Sequence, residues 1–551
     1  MVRRVFIFGE SMKGASGKEW VLLSEHIKPS EELVRKTGYL KAQLLANRDA
    51  DESALENRLR NLLPPHRIPN LQEAVSLIAD YVRKGKRIVL FGDYDVDGIT
   101  GTATLYHLLK RAKARVIPVL PSRRMGYGLT KDLALKLSRY ADLLVTVDNG
   151  TNAVEELAYL SIPVVVLDHH NPGETLPKAL LVNPKLQEKG AEDFKSLSSS
   201  GLAFYLAALL RRELQLEVDV RHYLHFACLG TVADVMPMSS LNRIIVHNGM
   251  KLLNYILHGG LHAPGIKLLM ENSGIRGEVS SIDITFSLAP RLNAPGRVAN
   301  PYLSFRLLLE QDERRAKELI RKVEYFNSRR RRLSWEALRE ALKQVQGQER
   351  EKLFIVKLQE WAGGVAGIVA GRLASTFSKP AVVMCLGEEY ATASVRGTEG
   401  TDVYSFLKTL SHLFVRWGGH ASAAGFTIRK EHIDLFERLA QSSFFPEKTE
   451  GRLYADLPLP TSSVGTELYG LLKELEPYGE GFPEPVFLSE PLRVVPERST
   501  REYFILKAGD YRLFLRDSTL FNHVRSPFVG RLLYKVDRRR PGTLLLVDLE
   551  K

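Results

Sequence analysis

Three aspartates at alternate positions follow an apolar run near residue 90, and this pattern constrains the fold more than any other. Asp93, Asp95 and Asp97 come directly after the run Arg87–Phe91. On an extended backbone this spacing places all three carboxylates on one side. Carboxylates gathered so closely repel one another unless a cation lies among them. The pattern therefore predicts a site for divalent metal ions.

Strand-like and helical segments alternate from about residue 76. Apolar runs recur at 115–120, 143–147 and 164–167, and helical stretches such as 99–111 and 129–137 lie between them. Continuous Val, Ile and Leu strands joined by helices predict a parallel sheet covered on both faces. Ligands bind such sheets at the carboxyl ends of the strands.

Further acidic and imidazole groups follow the later apolar stretches. Asp148 follows the third strand, Asp168-His169-His170 follows the fourth, and Asp234 ends a stretch that begins near Tyr223. Taken singly, each group has an ordinary interpretation. Asp148-Asn149-Gly150 is most often a turn, and Asp234 could cap a helix. A pair of histidines more often lies on the surface or in the core without binding a ligand. Their joint placement at the ends of successive strands favours one metal site.

Composition limits the class of protein. A chain of 551 residues is too long for one core, so we expect three or four domains. The apolar fraction of 44% excludes a mostly disordered chain. The formal net charge of +13 favours a polyanionic partner.

The two cysteines and the amino terminus bear on the compartment. Cys228 and Cys385 stand alone in the sequence, so a disulfide framework or a thiolate zinc site is not expected, and a reducing cytoplasm fits. The apolar run after Arg4 is too short for a signal peptide. No apolar run is long enough for a membrane span.

The motifs resemble those of the DHH phosphoesterase superfamily. Four segments look like its four motifs, in order: Gly92–Gly98, Val147–Gly150, Asp168–His170 and Gly230–Asp234. Further segments resemble the RecJ-type single-strand-specific 5′ to 3′ exonucleases: Lys18–Val21, Gly126–Leu129, Pro290–Arg297, Gly364–Ala370 and Gly418–Gly425. The resemblance covers nearly the whole chain.

The resemblance implies a role for each candidate residue. Asp95 would bind one ion, Asp97 the other, and Asp148 would bridge them, with His169 and Asp234 completing the ligands. Oxygen ligands with an imidazole suit Mn²⁺ or Mg²⁺. Three further site residues have implied roles. Asp93 would be a further or supporting metal ligand, and Asp168 would orient an imidazole. His170 would lie beside the scissile phosphate.

Six residues are expected to contact nucleic acid. Arg291 and Arg297 flank Asn293 in an expected turn fixed by proline and glycine, and the guanidinium forks suit phosphate. An ordinary surface loop with salt bridges is the alternative interpretation. By resemblance, the second group lies in a DHHA1 domain and consists of Arg396, Gly419 and His420.

The expected fold class is α/β. A parallel-sheet DHH domain is joined by a long helix to a smaller α/β DHHA1 domain, which is followed by an OB-fold β-barrel. The predicted divisions are an extension at 1–75, the DHH domain at 76–240, a helical region at 241–350, the DHHA1 domain at 351–447 and the barrel at 448–551.

Two basic segments leave alternatives open. The charged stretch from about Asp312 to Gln346 includes Arg329–Arg332 and is either a solvated face or a surface that steers the strand. In the barrel, aromatic and basic residues interleave, a mixture suited to stacking bases and holding phosphates, although we expect half of the aromatics in the core. These are Tyr503, Phe504, Tyr511 and Phe514, with Arg501, Lys507, Arg512 and Arg516.

The leading functional hypothesis is a two-metal exonuclease that releases mononucleotides from the 5′ end of single-stranded DNA, in repair and recombination. A phosphodiesterase for short oligonucleotides or cyclic dinucleotides is one alternative, and a non-catalytic replication scaffold is another. A single-strand-binding protein or a helicase is a candidate partner, and no membrane is expected. The residues do not decide DNA against RNA preference, processivity or oligomeric state.

Overall fold

A computed structural model describes residues 12–122, 128–187, 189–398, 400–444, 451–500 and 503–551. These residues form two units. Unit 1 consists of Ala50–Ser328 with the later segment Glu474–Pro483. Unit 2 consists of the described part of Arg3–Asp49, together with Arg329–Lys473 and Glu484–Lys551. The predictions for the first residues, for Gly126 and Tyr127, and for Arg501 lie outside the described residues.

The described elements are numbered in chain order. The strands are β1 (Met12–Lys13), β2 (Glu19–Leu22), β3 (Arg87–Gly92), β4 (Arg115–Val119), β5 (Leu143–Val147), β6 (Val164–Leu167), β7 (Leu180–Val182), β8 (Phe354–Gln359), β9 (Ala381–Leu386), β10 (Tyr390–Arg396), β11 (Phe414–His420), β12 (Ala423–Arg429), β13 (Arg452–Ala455), β14 (Leu457–Pro458), β15 (Phe487–Leu488), β16 (Leu492–Ser499), β17 (Phe504–Ala508), β18 (Tyr511–Leu515), β19 (Phe528–Val536) and β20 (Thr543–Glu550). The helices are α1 (Leu23–His26), α2 (Glu31–Thr37), α3 (Tyr39–Ala46), α4 (Leu71–Arg83), α5 (Val96–Arg111), α6 (Lys131–Tyr140), α7 (Val154–Ala158), α8 (Ser199–Glu213), α9 (Leu224–Ala233), α10 (Ser240–Leu257), α11 (Pro264–Asn272), α12 (Ser281–Asp283), α13 (Ala289–Val298), α14 (Tyr302–Leu309), α15 (Glu313–Val345), α16 (Ala366–Phe377), α17 (Val403–Thr409), α18 (Ile433–Ser443) and α19 (Thr466–Glu474).

Unit 1 is built around a parallel sheet with the strand order β4-β3-β5-β6-β7. All five residues of β5 and all four of β6 are buried, as expected for strands covered on both faces. The four predicted strands of this sheet are present, and β7 joins its edge as a strand that the sequence did not reveal. The predicted parallel sheet is confirmed.

Helices cover this sheet on both faces. Helices α6 and α7 contribute Leu137 and Leu157 to a core with Phe91 and Val166. On the other face, Gly101 lets α5 approach the sheet, since a Cβ there would lie 2.8 Å from Val147 Cγ1. The carboxyl ends of the strands therefore open at one edge of the sheet, where the aspartates follow.

The segment Pro290–Arg297 is helical, so the prediction of a turn there was wrong. It forms most of α13, which follows a single π-helical turn at Ile284–Leu288. Pro290 is the second residue of α13 and follows the π-helical turn directly, in which the Ala289 amide donates to the Ile284 carbonyl. Pro295 lies inside the helix, which ends three residues later at Val298.

The predicted long helix is present as α15 and differs from the predicted bounds by one residue at each end. Its residues up to Ser328 belong to unit 1, and those from Arg329 belong to unit 2. None of the described helices is long and apolar enough to cross a bilayer.

The second α/β domain lies in unit 2 as a mixed sheet with the strand order β11-β12-β10-β9-β8. Strands β8 and β9 are parallel, and the other neighbours are antiparallel. One face packs against α16 and the end of α15 through residues such as Val369 and Ala341. The other face packs against α17 and α18 through Leu407 and Phe436.

The carboxyl-terminal part is a closed barrel, as predicted. Strands β19, β16, β17, β18 and β20 pair in this order, and β20 closes the circle on β19. Strand β15 extends the sheet from β19. Strands β1, β2 and β13 form a separate small sheet in the same unit. In it β2, which contains Glu19 to Val21 of the predicted Lys18–Val21 segment, pairs with β1 and with residues 452–455.

Candidate metal centre and nucleic-acid interface

Asp93, Asp95 and Asp97 lie on a turn between a strand and a helix. The prediction that they lie on an extended segment was therefore wrong. Strand β3 ends at Gly92, and the Asp95 side chain caps α5 by accepting from the Gly98 amide at 3.1 Å. Asp97 therefore lies in the first helical turn. Gly98 is required here, because a Cβ would lie 2.6 Å from the Asp93 nitrogen. The carboxylates are brought together by this folded turn and not by a pleat.

Asp97 is fixed by the amino terminus of a second helix. Its Oδ2 accepts from the Ser199 amide at 2.7 Å, and its Oδ1 accepts from the Ser200 amide at 3.0 Å. A helix amino terminus favours a negative charge. Gly230 lies against this carboxylate, and a Cβ there would overlap both Asp97 Oδ1 and Ser200 Oγ. The glycine of the Gly230–Asp234 motif thus makes room for Asp97.

Asp148 occupies a strained backbone position directly after β5. Its φ is +68°, a region that non-glycine residues other than Asn and Asp seldom adopt. Its Oδ1 accepts from Ser199 Oγ at 3.0 Å and lies 3.3 Å from His169 Nε2. The turn interpretation of Asp148–Gly150 was therefore correct for the backbone, and the same turn places the buried carboxylate in the cluster.

Asp168 holds the two histidines that follow it. Its Oδ1 accepts from the His169 and His170 amides and lies 2.7 Å from His170 Nδ1. Its Oδ2 accepts from the Thr151 amide at 2.9 Å. Although burial opposes ionisation, the contact with His170 holds the pKa of Asp168 well below its usual range. The anion is consequently stable at every physiological pH.

Asp234 follows a helix and not one of the strands, so the helix-cap interpretation is correct for its backbone. It is the C-cap of α9, and its Oδ2 lies 3.4 Å from His169 Nε2. The next residue, Val235, has a φ of +54° and ends the helix sharply. The carboxylate nevertheless joins the groups at the carboxyl ends of the strands.

The described residues contain three overlapping clusters that could hold cations. In each cluster one ligand atom per residue lies within 4.8 Å of the others. The clusters are Asp93 with Asp95 and Asp148, Asp97 with His169 and Asp234, and Asp148 with His169 and His170.

The protonation tendencies of these groups fit a cation site. Burial and then repulsion from neighbouring carboxylates raise the pKa of Asp95, and they raise those of Asp148 and Asp234 well above the usual value. Burial, helped by the positive charge of His170, lowers the pKa of His169 to about 4, so its imidazole is neutral at pH 7. Carboxylates are the donors that Mg²⁺ and Mn²⁺ prefer, and a neutral imidazole, the softer donor, favours Mn²⁺ of the two.

His170 has the opposite electrostatic character. Burial opposes its charged form, but Asp168 outweighs this effect and raises the pKa of His170 to about 9. The two adjacent imidazoles, whose centroids lie 4.8 Å apart, are therefore neutral and positive, respectively, at pH 7. Such a separation of pKa values within one site is typical of catalytic groups.

All three of the predicted phosphate-binding residues on α13 have intramolecular partners. Asn293 Oδ1 accepts from the Val96 amide at 3.1 Å and so supports the start of α5. Arg291 donates to Glu324 Oε1 at 2.7 Å and to the Ser287 carbonyl at 2.9 Å. Arg297 lies in the last turn of the helix. Within unit 1, α13 therefore adjoins the turn that carries the aspartates.

In unit 2 the predicted contacts share one end of the mixed sheet. Arg396 on β10 and His420 on β11 both pair with Ala423 on the strand between them. Gly419 has a φ of +144°, and a Cβ there would overlap Ala424. Gly367 on α16 lies against Arg396, since a Cβ would be 2.9 Å from its Nη2. The sheet thus places the three residues at neighbouring positions.

The barrel aromatics are partly exposed and not core residues. Tyr503 and Phe514 have ring centroids 4.9 Å apart, and the Arg516 guanidinium lies 5.2 Å from the Phe514 centroid. Phe504 packs against Phe521 at 4.8 Å, and the Tyr511 hydroxyl donates to a backbone carbonyl at 2.9 Å. The expectation that half of them fill the core was wrong, since each is only partly buried.

Three residues that support the site were missed from the sequence. Ser199 and Ser200 act mainly through backbone amides, and their one visible signal is the small polar run that precedes Gly201. Asn183 donates to the His170 carbonyl at 2.9 Å and to Thr151 Oγ1 at 3.0 Å. It follows the unrecognised strand β7, so nothing marked it as a site residue.

Comparisons with known protein families agree with this architecture. The model of the N-terminal domain of the DHH family matches residues 87–231, the DHHA1 domain matches residues 350–444, and the RecJ OB domain matches residues 455–507. With the carboxylates and imidazoles at the carboxyl edge of the parallel sheet, these matches define a DHH-family protein.

Curated relatives narrow the class. The chain is 32% identical over 465 residues to the single-stranded-DNA-specific exonuclease RecJ of Escherichia coli, covering 79% of this chain and 80% of that protein. It is 34% identical over 447 residues to RecJ of Thermus thermophilus, covering 80% of this chain and 63% of that protein. The chain belongs to the RecJ family of single-stranded-DNA-specific exonucleases.

Solved structures give the same result and bear on the metal. The crystal structure of RecJ with Mn²⁺ from Thermus thermophilus superposes with a TM-score of 0.80 at 29% identity, covering 95% of this chain and 78% of that one. The Mg²⁺ complex from the same source gives a TM-score of 0.73 at 27% identity, covering 95% of this chain and 77% of that one. The predicted resemblance, the α/β class and the expectation of Mn²⁺ or Mg²⁺ are confirmed.

Proposed function

We propose that this protein is a two-metal exonuclease that hydrolyses single-stranded DNA from its 5′ end and releases mononucleotides, in DNA repair and recombination. One observation carries the proposal: six carboxylates and two histidines from separate parts of unit 1 meet at the carboxyl edge of its sheet. Its curated relatives are named for activity on single-stranded DNA.

The clusters support an assignment of ligands to two cations. Asp93 and Asp95 serve one cation, and Asp97, His169 and Asp234 serve the other. Asp148 lies beside both sets, within 4.8 Å of Asp93 and Asp95 and 3.3 Å from His169 Nε2, and would serve both cations. Bound divalent cations supply an activated water and stabilise both oxygens of an in-line phosphoryl displacement.

The protein's own groups orient and polarise the substrate. The positive His170 imidazole, held by Asp168 at 2.7 Å, offers its Nε2 proton to a phosphate oxygen whose charge grows in the transition state. The amides of Ser199 and Ser200 hold Asp97 rigid. Because the metal ligand is already held in place, substrate-binding energy is not spent on ordering it and can instead stabilise the transition state.

The remaining predicted contacts hold the strand. Arg291, Asn293 and Arg297 lie on α13, which adjoins the turn that carries the aspartates, and they serve the DNA strand near the metal centre. Arg396, Gly419 and His420, which share one sheet end, serve it in the DHHA1 domain. In the barrel, the exposed part of the Tyr503–Phe514 pair offers a stacking surface for bases.

Domain limits, location and partners belong to the same proposal. The functional divisions are those predicted from the sequence, with catalysis in 76–240 and strand binding in 351–447 and 448–551. Cys228 and Cys385 are buried free thiols, which suits the cytoplasm. A single-strand-binding protein or a helicase would supply the strand.

Two alternatives are less well supported. A phosphodiesterase for short oligonucleotides or cyclic dinucleotides does not need the RecJ OB domain that matches residues 455–507. A non-catalytic scaffold does not need buried carboxylates with raised pKa values, which destabilise the fold when no cation is bound.

The decisive experiment compares polarity and metal dependence. Single strands labelled at either the 5′ or the 3′ end are incubated with the protein in Mn²⁺, Mg²⁺ or EDTA, beside a blunt duplex. We expect mononucleotides from the 5′ end with either metal, little action on the duplex and none in EDTA. Digestion from the 3′ end, or undiminished activity in EDTA, contradicts the proposal.

A further inference from the structure

A fifth loop reaches the edge of the sheet where the metal centre lies. It follows β7, which pairs in parallel with β6, and consists of Asn183 and the 3₁₀ turn Pro184–Leu186. The loops after β3, β5 and β6 carry the acidic and imidazole groups. In parallel α/β sheets, side chains at this edge face the ligand.

The loop after β7 is tied directly to the catalytic histidine. Asn183 is completely buried, and its Nδ2 donates to the His170 carbonyl at 2.9 Å and to Thr151 Oγ1 at 3.0 Å. Its Oδ1 accepts from the Lys185 amide at 2.9 Å. One buried amide therefore fixes the backbone of Lys185 relative to that of His170.

The Lys185 side chain lies within electrostatic range of the metal centre. Its ammonium interacts with the carboxylates of Asp168 and Asp234, and its charge acts on His169. Burial nevertheless outweighs these carboxylates and lowers the pKa of Lys185. In the part of the chain that the structure describes, no carboxylate forms an ion pair with this half-buried ammonium.

The charge balance of the site calls for such a cation. Six ionised carboxylates outweigh two divalent cations and the His170 imidazolium by one negative charge. A phosphodiester brings a further negative charge and is repelled unless another cation lies near. A lysine suits this task, because its ammonium is a compact charge on a flexible stem that can follow a phosphate.

We propose that Lys185 binds a non-bridging phosphate oxygen of the DNA strand beside the metal centre. The inference rests on the proposed exonuclease function and adds a substrate-binding residue to it. The asparagine-anchored loop fixes the backbone of Lys185 relative to that of His170, so the flexible lysine stem starts from a fixed position at this edge of the sheet.

The kinetic test uses three variants of the full chain. Lys185→Gln should lower kcat/KM on single-stranded DNA about ten- to hundredfold, the range of a charge-assisted hydrogen bond. Lys185→Arg should restore much of the loss, because it restores the charge. Lys178→Gln, which removes an exposed charge from the same domain, should stay within about twofold of wild type. Equal effects of Lys185→Gln and Lys178→Gln overturn the proposal.

A binding cycle separates this proposal from the activity itself. Strands that carry one neutral methylphosphonate at successive linkages are titrated against wild type and Lys185→Gln in Ca²⁺, with fluorescence anisotropy as the readout. At one linkage the methylphosphonate should weaken DNA binding by the wild-type protein but not by Lys185→Gln. Equal losses at every linkage overturn the Lys185 contact, even if wild type is an active exonuclease.

The same cycle remains informative if the proposed activity fails. A wild-type protein that binds DNA strands without cleaving them contradicts the exonuclease proposal. A loss of binding at one linkage that occurs in wild type and not in Lys185→Gln would still support the Lys185–phosphate contact. A purely structural role for Lys185 predicts a lower Tm and a weaker Mn²⁺-induced rise in Tm, with no coupling at any linkage, and this result overturns the proposal.

Discussion

Asp148→Asn should make the metal-free protein more stable and the enzyme nearly inactive. The Asp148 side chain is buried beside Asp93, Asp95 and Asp97, and these neighbours contribute to its raised pKa. Asparagine keeps the shape, still accepts from Ser199 Oγ and tolerates the φ of +68°, which alanine does not. The substitution therefore removes the charge and little else.

The sign of the effect follows from the raised pKa. A carboxyl whose pKa is higher in the folded state binds more protons there, so wild-type stability falls as pH rises above the unfolded value of about 3.9. Relief of a single pKa unit is worth about 1.4 kcal/mol, and each kcal/mol shifts Tm by about 2–4 °C in a domain of this size. We expect a Tm gain of at least about 3 °C in EDTA at pH 8, and none near pH 3.

The assay is thermal unfolding across pH, with and without Mn²⁺, paired with nuclease rates. Metal at 100 times its Kd stabilises a binding protein by about 2.7 kcal/mol, so wild type should gain Tm from Mn²⁺ and the variant should gain far less. Turnover should fall by orders of magnitude. Asp132→Asn, an exposed change on α6, is the control. A lower Tm in EDTA, or retained turnover, would refute the reasoning.

Three further predictions concern the groups around the cluster. Asp168→Asn should move the alkaline limb of the kcat/KM profile from near pH 9 toward pH 6.5, because it removes the anion that raises the pKa of His170; an unmoved limb contradicts this role. Gly230→Ala should lower Tm by the equivalent of about 1–3 kcal/mol and abolish Mn²⁺ stabilisation, as measured by calorimetry, since its Cβ overlaps Asp97. Gly419→Ala should raise KM more than it lowers kcat in steady-state assays, because strain of about 1–3 kcal/mol at φ +144° displaces the strand-binding sheet end.

The sequence predicted those strands and helices that have a clear pattern of apolar or charged side chains. Strands β5 and β6 were located to the residue, because continuous buried Val and Leu runs leave no alternative period. The long helix α15 was found because its charged pattern has no interruption. Strand β7 was missed, since the three residues Leu180–Val182 are too short to show a period.

The errors share a physical origin, which is local hydrogen bonding that overrides periodicity. Alternating aspartates suggested a pleat, but the Asp95 cap and Gly98 allow the helix to start at Val96, three residues before the predicted start. Asp234 seemed to end a strand, yet nine buried residues from Leu224 to Val232 are equally consistent with a buried helix. Pro290 and Gly296 suggested a turn, yet both lie within α13, which continues directly from the π-helical turn Ile284–Leu288.

The clamp on Asp97 has a consequence for how such proteins diverge. Its two donors belong to the main chain at positions 199 and 200, so every amino acid except proline can supply them. Other small residues at these two buried positions can therefore hold Asp97, provided that the helix still begins there, although a change at 199 removes the hydroxyl that donates to Asp148. What is inherited at this point is a shape of the backbone, and a comparison of side chains alone would overlook it.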